Sequence, residues 1–201
     1  MMLAFDGAVI DGSAYTDVVD LAQRSPAWLD GIVSVWSTYG LALFAVLMVV
    51  GWWRARHVGV RAALIALAAP VTVVVAYAVN DALKLVVRED RPCQSLHVVT
   101  LEACPAPGDW SFPSNHAAIA AAAAVALLSV SRRLGTVAVV AACAMAASRV
   151  WVGAHYPHDI VAGGLVGALV AFLLTSAVRR RPDALARRLT ATRLRPLLVA
   201  P

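Results

Sequence analysis

Apolar stretches about as long as a bilayer is thick recur along this chain, and they leave few folds open to it. A helix rises about 1.5 Å per residue, so roughly 20 residues cross about 30 Å of hydrocarbon. Five stretches approach that length, at 32–53, 60–83, 114–130, 134–151 and 157–178. In lipid every backbone polar group must be satisfied inside the structure, and continuous apolar runs do this as helices. Of the 201 residues 61% are hydrophobic and 14% charged, where a soluble domain is nearer half and a quarter. A disordered chain is excluded, and a water-soluble globule is disfavoured. The expected fold class is all-α: a polytopic membrane helical bundle with about five transmembrane helices.

The charges then give an orientation. The 17 basic residues are sixteen arginines and Lys84, for a formal net charge of +5. Arg54, Arg56 and Arg61 lie between the first two runs, Arg132 and Arg133 between the third and fourth, and Arg179, Arg180 and Arg181 after the fifth. Five spans bring all three groups to one side, which the positive-inside rule makes cytoplasmic. The N-terminus is then outside, where Asp6, Asp11, Asp17, Asp20 and Asp30 stand against Arg24. A nucleic-acid partner would need a basic face on a soluble module, and none is expected.

Residues 1–30 are too polar to span. Leu3, Phe5, Val9, Ile10, Val18, Val19 and Leu21 suggest amphipathic pieces lying at the interface. A basic segment before an apolar core is missing, so no signal peptide is expected. The domain organisation is therefore an N-terminal interfacial segment (1–30), a transmembrane domain (31–178) and a basic cytoplasmic tail (179–201). In that tail Arg187, Arg188, Arg193 and Arg195 would meet headgroups or solvent. The alanines at 120–124 read as close helix packing. Gly163, Gly164 and Gly167 permit close contact, either within the chain or across a homodimer.

Two polar connections on the outer face, 84–113 and the turn near 149–157, carry the chemistry. The first begins Lys84-Leu-Val-Val-Arg88-Glu-Asp-Arg91-Pro92; taken singly, such basic residues could snorkel to headgroups. At the third run, Ser114 is an N-cap candidate followed by Asn115 and His116, and the free N–H groups of that first turn form an anion site. A serine cap alone is common. At the fifth run, Pro157 suits the first helical turn and Asp159 lies four residues after His155. There it can fix the histidine's tautomer as the third member of a triad does; a surface histidine beside a capping aspartate is the plainer explanation. His158 and Arg88 read as exposed extras. The convergence of Lys84, Arg91, Arg149, His116 and His155 at one membrane face argues against coincidence.

Together, Lys84-x6-Arg91-Pro92, Pro113-Ser114-x-His116 and Ser148-Arg149-x5-His155-x3-Asp159 resemble the three signature motifs of the type 2 phosphatidic acid phosphatase superfamily, in spacing, order and placement. The segment 20–30 is similar to the corresponding region of its bacterial undecaprenyl-diphosphate phosphatases. One position departs: Asn115 stands where the family has glycine, which bears on substrate preference.

The resemblance implies an integral-membrane lipid phosphatase that removes the terminal phosphate of a polyisoprenyl diphosphate through a phosphohistidine. His155 would be the nucleophile, Asp159 its orienting partner and His116 the general acid and later base. Lys84, Arg91, Ser114, Asn115 and Arg149 would bind the phosphoryl group. No cofactor or metal is implied. The partners expected are the lipid phosphate or diphosphate substrate and membrane lipids. The expected location is a bacterial inner membrane, with the active site extracytoplasmic. A phosphatidate or phosphatidylglycerophosphate phosphatase, or a lipid phosphoryl transferase, would use the same chemistry.

Cys93 and Cys104 fall in the outer connection, where an oxidising exterior permits a disulfide; two free thiols are the alternative. Cys143 lies mid-span, where it reads as packing. A transporter would put its charges near the bilayer midplane, whereas these lie at span ends. A scaffold without activity would not keep every catalytic residue. A vanadate-dependent haloperoxidase, the superfamily's other branch, is a large soluble protein.

Overall fold

Glycine, serine and proline mark where the apolar runs are cut into helices. The computed structural model describes residues 5–180, 182–193 and 195–199. The helices are α1 (Ala8–Gln23), α2 (Ala27–Tyr39), α3 (Leu41–Val58), α4 (Val60–Val87), α5 (Pro92–Ser95), α6 (Asn115–Val130), α7 (Arg132–Trp151), α8 (Pro157–Arg180), α9 (Pro182–Thr190) and α10 (Arg195–Leu198). The expected all-α membrane bundle is the observed fold. Among the described residues the only extended pairing is one bridge, Phe5 to Glu89.

Four helices, α3, α4, α7 and α8, are long and apolar enough to cross a membrane. The fifth apolar helix, α6, has only 16 residues and lies among α3, α4, α7 and α8. Its alanines explain that position. Ala118, Ala120, Ala122 and Ala123 are fully buried, and methyl side chains let neighbouring backbones come close where lipid supplies no hydrophobic drive. Phe44, Val73, Leu127, Met145 and Ala171 pack around this alanine core.

Contact between α6 and α8 is closest at two glycines. A Cβ on Gly163 would run into the carbonyl oxygen of Ser114, and one on Gly167 into that of Ala118, whereas Gly164 faces open space. Gly163 and Gly167 therefore act within the chain. The C-terminal ends of α4 and α7 and the N-terminal ends of α6 and α8 meet at one end of the bundle. The basic residues Arg54, Arg56, Arg61, Arg132, Arg133, Arg179 and Arg180 belong to the opposite end.

Several features depart from what the sequence pattern suggests. The stretch 32–53 is not one helix but parts of α2 and α3, which meet at Gly40. A Cβ there would lie 2.8 Å from Met145 Cε and 2.9 Å from Trp36 Cδ2, so the missing side chain lets α7 press on the joint. The N-terminal segment also packs on the bundle. α1 buries Tyr15 and Val19 against Val150 of α7 and Tyr156 of the connection that follows it, while Val9, Ile10 and Leu21 stay exposed. Cys143 is exposed on α7 and not packed inside.

The described residues after Arg180 fold back. Arg61 pairs with Asp183 at 2.6 Å, Trp52 Nε1 donates to Leu197 O at 2.8 Å, and Leu198 is buried with Ala63 and Leu64. Leu3, expected at the interface, and Arg181, expected on the cytoplasmic side, lie outside the described residues.

The glycine contacts give a test. Overpacking a tight site costs about 1–3 kcal/mol, so Gly163→Val and Gly167→Val should each lower the unfolding midpoint in detergent by about 5 °C. Gly164→Val should leave it nearly unchanged. Tryptophan fluorescence on heating reads the difference.

Candidate active site

His155 lies in the connection between α7 and α8, whose shape follows from its neighbours. Gly153 adopts φ +83°, a conformation open to glycine, and its carbonyl accepts a hydrogen bond from the Tyr15 hydroxyl at 2.9 Å. The backbone N–H groups of Ala154 and His155 return to Arg149 O at 3.0 and 3.3 Å. Pro157 then opens α8 and puts Asp159 in its first turn.

The partners of His155 set its tautomer. Arg91 Nη1 lies 3.0 Å from Nε2. Arginine has only donors, so Nε2 is the acceptor and the proton resides on Nδ1. That proton faces Asp159 Oδ2 at 3.2 Å. The same carboxylate oxygen accepts from the Tyr156 N–H at 2.9 Å and from the Ser111 hydroxyl. Burial, followed by the nearby charges of Arg91, Lys84 and Arg149, holds the imidazole of His155 well below its ordinary value. The ring is therefore neutral, with an unprotonated Nε2 on the cavity side.

That cavity has a volume of about 260 Å³ and is lined by Lys84, Arg91, Asn115, His116, Arg149 and His155, with the outer connection over it. The connection is closed by a disulfide between Cys93 and Cys104, whose Cα atoms are 5.9 Å apart. Each cation already holds oxygen atoms. The Lys84 ammonium donates to the carbonyls of Trp110 and Ser111 at 2.5 and 3.3 Å. Arg91 donates to Ala154 O at 2.9 Å and pairs with Asp109 at 3.0 Å. Arg149 pairs with Glu102 at 2.8 Å and donates to Ser37 Oγ at 2.6 Å.

Glu102 and Asp109 are about half exposed, whereas their arginines are buried. The two carboxylates come from the outer connection and can give way to a more highly charged oxyanion. A cradle of two guanidiniums and an ammonium beside a neutral histidine suits a phosphoryl group.

The other expected site residues are placed as follows. His116 lines the cavity, and its ring makes no hydrogen bond among the described residues. Asn115 also reaches the cavity, but its amide is held by α4: Oδ1 accepts from Asn80 at 2.7 Å and Nδ2 donates to Asp81 at 3.1 Å. Ser114 does not line the cavity. Its hydroxyl caps α6 at Ala117 N, and its backbone N–H donates to Asp159 O at 3.0 Å. Asp159 stands behind His155, outside the cavity lining. Arg88 is exposed as expected, but His158 is not an exposed extra: its side chain is 16% exposed and surrounded by carboxylates.

The sequence pattern does not single out Ser111, Glu102, Asp109 or Asn80. None belongs to a spaced motif, and each reaches the site through a fold in the chain.

Residues 65–183 match the PAP2 superfamily. The chain belongs to that family. Among its relatives, an undecaprenyl-diphosphatase of Sulfolobus acidocaldarius is 31% identical over 153 residues, 73% of this chain and 69% of that protein. The undecaprenyl-diphosphatase BcrC of Bacillus subtilis is 31% identical over 150 residues, 72% of each. A decaprenylphosphoryl-5-phosphoribose phosphatase of Mycobacterium tuberculosis is 37% identical over 103 residues, 51% of this chain and 55% of that one. The fold matches the crystal structure of a PAP2-type phosphatidylglycerolphosphate phosphatase from Bacillus subtilis. That match has a TM-score of 0.58 and 21% identity, over 87% of this chain and 88% of that one.

The neutral state of His155 has a consequence for stability. The native ring binds fewer protons than the unfolded one, whose pKa is about 6.5, so stability rises with pH through that region and falls below it. Lowering the pH from 7 to 5 should therefore reduce the unfolding midpoint of the wild type more than that of His155→Gln. Thermal melts of both proteins at the two pH values measure the difference.

Proposed function

We propose that this PAP2 protein hydrolyses the terminal phosphate of a polyisoprenyl diphosphate, with undecaprenyl diphosphate as the leading substrate. The observation that carries the reading is the His155 ring, fixed with its Nδ1 proton on Asp159 and its Nε2 toward a pocket of three cations. The undecaprenyl-diphosphatases that align over about 72% of this chain support the choice of lipid.

In the proposed mechanism Lys84, Arg91 and Arg149 bind the terminal phosphoryl oxygens, and the phosphate displaces Glu102 and Asp109 from their arginines. As Arg91 turns Nη1 from Nε2 of His155 to a phosphoryl oxygen, the freed Nε2 lone pair attacks phosphorus and the bond to the leaving lipid phosphate oxygen breaks. His116 supplies a proton to that oxygen. Asp159 accepts the Nδ1–H bond throughout and stabilises the positive charge that develops on the ring. Water then attacks the phosphohistidine with His116 as base, which frees inorganic phosphate and restores Nε2. Charge builds on the phosphoryl oxygens in both steps, so the fixed cations are the main source of acceleration.

Ser114 contributes by capping α6 and tying it to the Asp159 backbone, and Asn115 by fixing α6 to α4 at the edge of the pocket. The reaction proceeds without a metal ion. The positive-inside distribution supports an orientation with the pocket on the extracytoplasmic side, the N-terminus outside and the C-terminus in the cytoplasm. The product there is the lipid monophosphate carrier used in envelope synthesis.

The test is phosphate release by the purified protein in detergent with excess EDTA, offered undecaprenyl diphosphate, phosphatidate and phosphatidylglycerophosphate. Release from the prenyl diphosphate is expected to exceed that from either glycerolipid. His155→Ala should abolish turnover, and Asp159→Asn should reduce kcat by a smaller factor. Preference for a glycerolipid would reject the substrate, and activity in His155→Ala would reject the nucleophile.

A further inference from the structure

The mechanism above makes no use of His158, yet this side chain is the centre of a partly buried charge cluster behind the catalytic pair. Its Nδ1 lies 2.7 Å from Asp11 Oδ1. Its Nε2 lies 3.0 and 3.2 Å from the two oxygens of Glu89, and 3.7 Å from Asp159 Oδ1. The His158 backbone N–H donates to Asp11 Oδ2 at 2.7 Å. The ring stacks on Tyr156, with centroids 5.4 Å apart and planes 15° from parallel. An imidazole can donate from both nitrogens only when it carries two protons, so a ring clasped by carboxylates on both sides is a cation.

Three carboxylates from three parts of the chain face that cation: Asp11 in α1, Glu89 in the connection after α4, and Asp159 beside it in α8. Glu89 and Asp159 are 1% and 0% exposed. Two like charges so deeply buried and so near one another repel unless a cation stands between them. Asp159 Oδ1 has no hydrogen-bond partner. Among the described residues, His158 is the cationic group within ion-pair reach of it.

We propose that His158 is a positioning residue for the hydrolysis: held between Asp11 and Glu89, its positive charge keeps Asp159 anionic and in place behind His155. The proposal rests on the roles given above to His155 and Asp159. His158 touches neither substrate nor nucleophile and acts through the carboxylate. It also ties α1 to the site, since Asp11 grips both its ring and its backbone.

A charge-balance experiment tests this. Phosphate release from undecaprenyl diphosphate is measured in EDTA for the wild type, Asp159→Asn, His158→Asn, Glu89→Gln and the double variant His158→Asn/Glu89→Gln. His158→Asn should lose about tenfold or more in kcat with KM within about twofold of wild type, the pattern of a lost transition-state effect. Adding Glu89→Gln removes the carboxylate left without a counter-charge and should recover at least about threefold of that loss. A part that merely fills space would show no such recovery, so a double variant as slow as His158→Asn, or slower, overturns the proposal.

His158→Lys keeps the charge and serves where His158→Asn does not purify folded. It should stay within about threefold of wild-type kcat, and a collapse in a folded His158→Lys protein counts against the idea. Wild-type kcat in His158→Asn, with a deep loss in Asp159→Asn, overturns the proposal and leaves the parent mechanism standing. Wild-type kcat in Asp159→Asn overturns the parent mechanism instead. The ligand atoms of Glu89, His158 and Asp159 lie within 4.8 Å of one another. Activity lost on chelation and restored by a divalent cation would therefore also overturn the proposal, by giving the neutralising role to a bound ion.

Discussion

A charge buried at the end of an apolar bundle must be met by oxygen atoms or an opposite charge, because neither lipid nor alanine can solvate it. Lys84, Arg91 and Arg149 are each less than one-tenth exposed, and most of the architecture around them answers that requirement. Carbonyl groups of Trp110 and Ser111 receive the ammonium. Asp109 and Glu102 come down from the outer connection to the two guanidiniums. On the function proposed above, Asp109 and Glu102 hold the two guanidiniums until a phosphate replaces them.

The helices serve this end by being thin where they meet. Alanines along α6 and the glycines at 163 and 167 bring α8 against the backbone of Ser114 and Ala118. That contact sets Asp159 O on the Ser114 N–H, so the first turns of α6 and α8 are fixed relative to each other. The His116 and His155 regions thereby share one pocket. Their separation depends on backbone-to-backbone packing, which does not relax as side-chain contacts do.

Much of this architecture is legible in the chain itself. The apolar runs imply the bundle, and the three spaced motifs imply which basic and histidine residues share an end. The first run misleads because Gly40 and the pressure of Met145 divide it, and no local pattern announces a tertiary contact. His158 misleads for a related reason. Its sequence neighbours suggest an exposed loop, while Asp11 and Glu89, 147 and 69 residues away, hold it partly buried between carboxylates. Ser111, Glu102 and Asp109 belong to a connection with no periodicity, so only its folded path shows what they touch.

The sequence by itself determined the class of fold, the helical content and which basic and histidine residues share one end of the bundle. Those follow from hydropathy, helix geometry and spacing within single segments. Tertiary structure alone decided which nitrogen of His155 faces the pocket, which carboxylates hold the arginines and how α1 and the C-terminal segment close on the bundle. Each of these depends on atoms far apart in the chain, and close packing brings them within hydrogen-bonding reach.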